Sequence, residues 1–254
     1  MRHVKGWLAG TGLVASATAC VVPRTPAELP PPSEGYVAVL SGEMPAALSQ
    51  VARHSWIVAN VPGAGYLQRW ELGGGGGGDP FHYFGDGEVA VHGVVRYQHD
   101  ELRRVVACLD REESGYYKQH PDYFPIPGPN SNTFVDFLLR HCGIHVELPA
   151  TAIGRDYRGP IGASVTSLGT GVQLETWVVG LKLGLQEGVE LHLLDMAFGV
   201  HFWPPGITVP VNPGRIGIDD DMHHNPERSA GDMERYQPPR QSGLASLWLG
   251  TRYA

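Results

Sequence analysis

The spacing of apolar and polar positions divides the chain into two textures. Tyr36-Val37-Ala38-Val39-Leu40 and Ser55-Trp56-Ile57-Val58-Ala59 are short β-rich runs. Pro62-Gly63-Ala64-Gly65 is a turn that sends Tyr66 to Leu72 back as the second arm of a hairpin. Glu88 to Tyr97 predicts another strand, with Gly93 at a bulge. Helical spacing follows: Leu102, Val105, Val106 and Leu109 recur on one face behind a cap at Asp100, and the pattern stops by Gly115. After a proline-rich approach from Pro121 to Pro129, Phe134, Val135, Phe137, Leu138 and Leu139 form the broad apolar face of a second helix. Past Pro149 glycine-punctuated strands take over. Thr176 to Leu185, a turn at Gln186-Glu187-Gly188, and Val189 to Val200 predict a long hairpin. The expected fold class is α+β, an antiparallel sheet with two main helices extended by a C-terminal β-hairpin.

Composition narrows the function. The chain has 254 residues, 42% hydrophobic and 18% charged, which allows one substantial packed domain, expected over residues 35–218. A formal charge of −7 repels nucleic acid, so no nucleic-acid partner is expected. The N-terminus reads as an address. Arg2 and Lys5 precede an apolar stretch from Gly6 to Ala17, too short for a membrane span, so residues 1–19 are expected to be a signal peptide. The small residues before Cys20 resemble a bacterial lipobox, in which the cysteine is lipidated; Ala17-Thr18-Ala19 also fits ordinary A-x-A cleavage. Residues 20–34 then read as a proline-rich tether. The lipobox resemblance implies a lipoprotein anchored in the cell envelope, and Val21 beside the cysteine implies the periplasmic face of the outer membrane. Residues 219–254 read as a flexible polar tail whose Leu244 to Leu249 could dock back.

The sharpest local chemistry is Pro127-Gly128-Pro129-Asn130-Ser131-Asn132-Thr133-Phe134. A rigid loop delivers small polar side chains to the start of an apolar helix, where a nucleophile feels the positive end of the helix dipole. Free amides there can receive an oxyanion. The same residues favour caps, and Thr133 with Asp136 fits a capping box, so helix capping is the competing reading. Upstream, Arg53-His54-Ser55-Trp56 sets a histidine at the mouth of a strand. Glu71, on the returning strand about as far past the turn as His54 is before it, could orient that imidazole, or could lie on a solvated strand face. Arg155 and Asp156 either line a cleft or pair with each other.

Two resemblances attach to these residues. His54-Ser55-Trp56-Ile57-Val58 and Asn130-Ser131-Asn132-Thr133-Phe134 resemble the histidine strand and nucleophile helix of permuted papain-like proteins. These include PPPDE peptidases, the lecithin:retinol acyltransferase type and permuted NlpC-type amidases. The resemblance implies a permuted papain-like fold with serine in the cysteine slot. A hydroxyl must surrender its proton during attack, so His54 would serve as general base. More broadly, His54-Ser55-Trp56, Gly128 to Phe134, Ala152 to Tyr157, Ser167 to Gly171 and Glu187 to Glu190 resemble a bacterial lipoprotein-type domain family of unknown function. Its members carry these blocks in this order over roughly residues 51–218.

Cys142 with His145, and His223-His224 beside Asp219 to Asp221, lack a second pair at ligand spacing, so neither a metal nor another cofactor is expected. Cys108 and Cys142 could form a disulfide. Two functions remain open. One is an envelope amide or ester hydrolase or acyltransferase with catalytic His54 and Ser131, oxyanion or orienting candidates Asn130, Asn132 and Glu71, and peptidoglycan or lipid substrates. The other is an inactive binding module for peptidoglycan or an envelope partner.

Overall fold

The computed structural model of the protein describes residues 28–45, 48, 51–73, 79–85, 87–203, 205–210, 212 and 216–217. The expected signal peptide, Cys20, most of the tether, His223-His224 and the tail over 219–254 lie outside the described residues.

Four strands, β1 (Tyr36–Glu43), β2 (Arg53–Asn60), β3 (Leu67–Trp70) and β4 (Val89–Arg96), form an antiparallel sheet in the order β3-β2-β1-β4. The expected bulge is present. Val39 pairs with Gly93 and Leu40 with Val91, so His92 is the extra residue. Every residue of β2 is buried because the sheet is covered on both faces. Alternate residues Val37, Val39, Ile57 and Ala59 pack with the helices, while Ala38, Leu40, Trp56 and Val58 pack with Leu29 and Tyr83.

Helix α1 (His99–Gln119) begins at Gln98, not at the expected cap Asp100. Asp100 and Glu101 sit in its first turn, where carboxylates complement the dipole without capping. It also runs past Gly115, because Tyr116 in the following turn is held in the core edge-on to Phe134 and Phe137. Helix α2 (Ser131–His141) packs on α1 and β2. A disulfide between Cys108 and Cys142 joins α1 to the end of α2, with Cα atoms 5.7 Å apart. The bridge closes a loop of sequence separation 34. Its loss should therefore cost about 3–4 kcal/mol through the unfolded state. Cys108→Ala with Cys142→Ala should lower the urea midpoint accordingly; an unchanged midpoint would show that helix packing alone holds the pair.

The C-terminal strands form more than one hairpin. Strands β5 (Ile161–Val165), β6 (Gly171–Thr176), β7 (Val179–Gly184), β8 (Gly188–Leu193), β9 (Met196–His201), β10 (Gly206–Thr208) and β11 (Ile216–Gly217) make a seven-stranded antiparallel meander. The expected β7–β8 hairpin is its centre, but each of its long arms is broken by a tight turn, after Thr176 and after Leu193. At the second turn Leu194 and Asp195 have φ of 49° and 62°, the paired positive values of a type I′ hairpin turn.

The meander is inside-out. Gln173, Glu175, Lys182, Glu190 and His192 point inward and are buried, while the intervening apolar residues face solvent. Segment 147–158 packs against the inward face and supplies opposite charges. Lys182 Nζ lies 2.9 Å from Glu147, 3.0 Å from Glu190 and 3.3 Å from Asp156. Arg155 pairs with Asp156 at 2.8 Å and also with Glu190. His192 bonds Glu175 at 2.6 Å and Glu190 at 2.7 Å. Arg155 and Asp156 thus pair with each other inside this network and do not line an open cleft.

Candidate active site

The helix start is built by one side chain. Asn130 is the N-cap of α2, and its Oδ1 accepts from the N–H groups of Asn132 at 2.9 Å and Thr133 at 3.1 Å. Thr133 is therefore not the cap. It is the third helical residue, and its Oγ1 accepts from Asn130 N–H at 3.1 Å, closing a reciprocal box. Asp136 is free of capping and instead pairs with Arg140 at 2.8 Å and Arg158 at 2.9 Å. Gly154 has φ +88°, and a Cβ there would stand 2.1 Å from Asn130 Nδ2, so only glycine allows the cap to form.

Capping leaves Ser131 out. Three of the four amides from Asn130 to Thr133 are taken by Asn130 and Thr133 side chains. The remaining N–H belongs to Ser131, the first residue of α2, which has no acceptor within the helix. Its hydroxyl lies 3.0 Å from Nδ1 of His54. Asn132 fixes that separation by strapping α2 to β2. Its Oδ1 accepts from Ser55 N–H at 2.9 Å, and its Nδ2 donates to the carbonyls of Arg53 and Ile153, each at 2.9 Å. The strap holds the backbone on both sides of His54.

The other ring nitrogen of His54, Nε2, lies 2.7 Å from Glu71 Oε1. A carboxylate only accepts, so Nε2 carries the proton and Nδ1 presents a lone pair to Ser131. The two nitrogens exchange the roles they have in chymotrypsin-type triads. Glu71 is itself anchored: Arg69 Nε lies 2.6 Å from its Oε2, and the Arg69 guanidinium sits 4.6 Å above the Trp56 ring. Burial pushes the Glu71 carboxyl up, but the hydrogen bond with His54 and the charge of Arg69 outweigh it, so its pKa lies below the usual value. Glu71 therefore lies in the site and not on a solvated strand face.

Residues that sequence reasoning missed shape the surroundings. Phe84 meets the His54 ring edge-on at 4.9 Å, and Tyr83 stacks on Trp56 at 5.5 Å, so one side of the imidazole is apolar. Ser131 is 6% and His54 3% exposed, which gives the pair only a narrow opening. A second serine–histidine contact, Ser41 Oγ to His92 Nε2 at 2.6 Å, arises from the β4 bulge. Burial and the neighbouring Arg53 and Arg155 charges hold the His92 pKa down to about 3. Ser41 is fully buried within β1, so no reacting group reaches that pair.

Of the expected oxyanion candidates, the side chains of Asn130 and Asn132 are both consumed by structure. Asn130 Nδ2 donates to Pro125 and Ile153 carbonyls, and Asn132 forms the strap. The Ser131 amide is the donor left. Among the described residues one group has the reach to hold a metal ion, Asp156, Glu190 and His192. The Lys182 ammonium and Arg155 guanidinium already neutralise its carboxylates, and His192, lifted to about 9 against burial by Asp156, Glu175 and Glu190, is cationic. That group is an ion network with its cations in place.

Ser131 stands at the start of α2, His54 on β2 and Glu71 directly after β3, all within one stretch of chain. Residues 34–157 match DUF3750, a protein family of unknown function. The DUF3750 match takes in the four-stranded sheet, both helices and the whole site. It includes the His54, Gly128 to Phe134 and Ala152 to Tyr157 blocks, and ends before the Ser167 to Gly171 and Glu187 to Glu190 blocks of the meander. No curated protein and no solved structure matches the chain.

Proposed function

We propose that the protein is an amide or ester hydrolase or acyltransferase in which Ser131 is the nucleophile, His54 the general base and Glu71 the orienting carboxylate. The observation that carries the reading is the bridge made by one imidazole, 3.0 Å from Ser131 Oγ on one side and 2.7 Å from Glu71 on the other. Ser131 Oγ attacks the carbonyl carbon as Nδ1 takes its proton, and the carboxylate of Glu71 stabilises the imidazolium that forms. The Ser131 N–H, at the positive end of α2, donates to the developing oxyanion. His54 then returns the proton to the leaving group, and water or a second acceptor releases the acyl-enzyme. A strand histidine that precedes a helix-start nucleophile supports a permuted papain-like arrangement. Glu71 answers the demand that serine makes in a cysteine slot, because a hydroxyl needs a base during attack.

The N-terminal sequence supports an envelope lipoprotein lipidated at Cys20, within reach of peptidoglycan peptides or membrane lipids. The Cys108–Cys142 bridge supports an oxidising compartment. One observation favours the second reading, an inactive binding module: Ser131 and His54 are nearly enclosed. A fluorophosphonate serine-hydrolase probe separates the two. Covalent labelling of the wild type at the Ser131 peptide, lost in Ser131→Ala, is expected. An unlabelled wild type that remains folded would leave the binding module standing.

A further inference from the structure

The outward face of the meander carries apolar side chains in register from strand to strand. Val172, Leu183, Val189 and Val200 are successive cross-strand partners along one row. Leu174, Leu181, Leu191 and Phe198 form the next. Exposure on this face runs from 36% at Leu181 to 85% at Ile161, so no described residue covers it. The inward residues cannot compensate by exchanging faces, because strand register fixes which set points out, and the inward set is committed to the Arg155–Lys182 ion network.

We infer that this face is the interface of a symmetric dimer, in which the meanders of two copies pack face to face as the halves of a β-sandwich. Size is the first argument. Strand spacing and rise give the sheet roughly 500 Å² in plan, so two copies bury about 1,000 Å² or more, which is what a specific interface needs. The second argument is charge. The basic side chains of strands β5 to β11, Lys182, His192 and His201, are all buried on the inward side, so the outward face has no like charge to oppose a second copy of itself. A two-fold operator brings the same patch to itself, and a face of Val, Leu and Phe is self-complementary as a sandwich core. An anionic lipid surface fits less well. Membrane-surface binders ring their apolar face with Lys and Arg, and the described turns of this sheet have none. Its strands have six residues at most, short of the 9–11 that a membrane-spanning strand needs.

Sedimentation equilibrium of the full chain in detergent-free buffer should give twice the monomer mass. The double variant Leu181→Asp, Leu191→Asp alters exposed, cross-strand-paired positions at the centre of the sheet. It should keep the wild-type circular dichroism and weaken association roughly 1,000-fold or more. A monomeric wild type overturns the inference, and so does a double variant that stays dimeric. Two further outcomes would also overturn it and name another occupant. A wild-type monomer that dimerises once residues 218–254 are deleted would assign the face to that segment, and a wild-type monomer that sediments with phosphatidylcholine vesicles would assign it to lipid.

Discussion

Glu71→Gln should lower kcat on an activated ester by about 10⁴-fold, the loss seen when the orienting carboxylate of a serine triad becomes an amide. The reason is specific to this site. Arg69 Nε sits 2.6 Å from Glu71 Oε2 and can only donate, so a glutamine must turn its carbonyl toward Arg69. Its NH₂ then faces His54 Nε2, which has to accept. The ring proton moves to Nδ1, where it points at Ser131 and removes the lone pair that would take the hydroxyl proton. Ser131→Ala and His54→Ala should each abolish turnover, and the double variant should be scarcely worse than either, because the residues act as a unit. Ser131→Cys should remain active, since a thiol ionises more readily beside a helix N-terminus. The measurement is single-turnover acylation at a temperature where circular dichroism shows each variant folded. A Glu71→Gln protein with undiminished acylation would remove Glu71 from the mechanism, and a Ser131→Ala protein with unchanged turnover would remove the site.

Lys182→Met should be among the most destabilising single changes, at about 3–5 kcal/mol, because it strips the shared cation from Glu147, Asp156 and Glu190. Burial pushes the Lys182 pKa down, but those three carboxylates outweigh it and hold the ammonium charged. In a protein of this size the loss corresponds to a fall of roughly 10 °C in Tm. Adding Glu190→Gln should recover part of it, since the second change relieves a buried charge that the first leaves unpaired. Scanning calorimetry of both single variants and the double closes the cycle. Strict additivity would show that Lys182 and Glu190 do not act through one another.

The sequence made the first sheet and the site largely legible, for local reasons. β1, β2 and the bulge at Gly93 announce themselves through β-branched runs and a lone glycine, and a histidine strand ahead of a polar helix start is an ordered pair that can be read along a line. Glu71 was legible as a candidate only. What places it beside His54 is the β2–β3 pairing, and what makes it more than a solvated carboxylate is Arg69 on its far side, a contact that spacing does not reveal. The cap was misassigned because Thr133 and Asp136 satisfy the same pattern as Asn130 and Thr133, and only the Asn130 hydrogen bonds decide between them. The meander was harder. Its period-2 alternation is plain, but period alone does not say which face is buried, and the ordinary assumption puts Leu181 and Leu191 inside and Lys182 outside. The opposite holds because Arg155 and Asp156, distant in sequence, meet the charges. Leu194-Asp195 turns the chain without the glycine or asparagine that marks such turns.

The ion network lies across the end of the DUF3750 match. Glu147, Arg155 and Asp156 come from inside it, whereas Lys182, Glu190 and His192 come from beyond. A recombination breakpoint after Tyr157 would separate cations from anions on both sides at once. The new C-terminal piece would have to bring carboxylates for Arg155, and the released sheet would have to find partners for Lys182 and His192. A fragment cut at the end of the match would therefore leave buried charges unpaired on both sides of the cut, and would be a poor starting point for dissecting the protein.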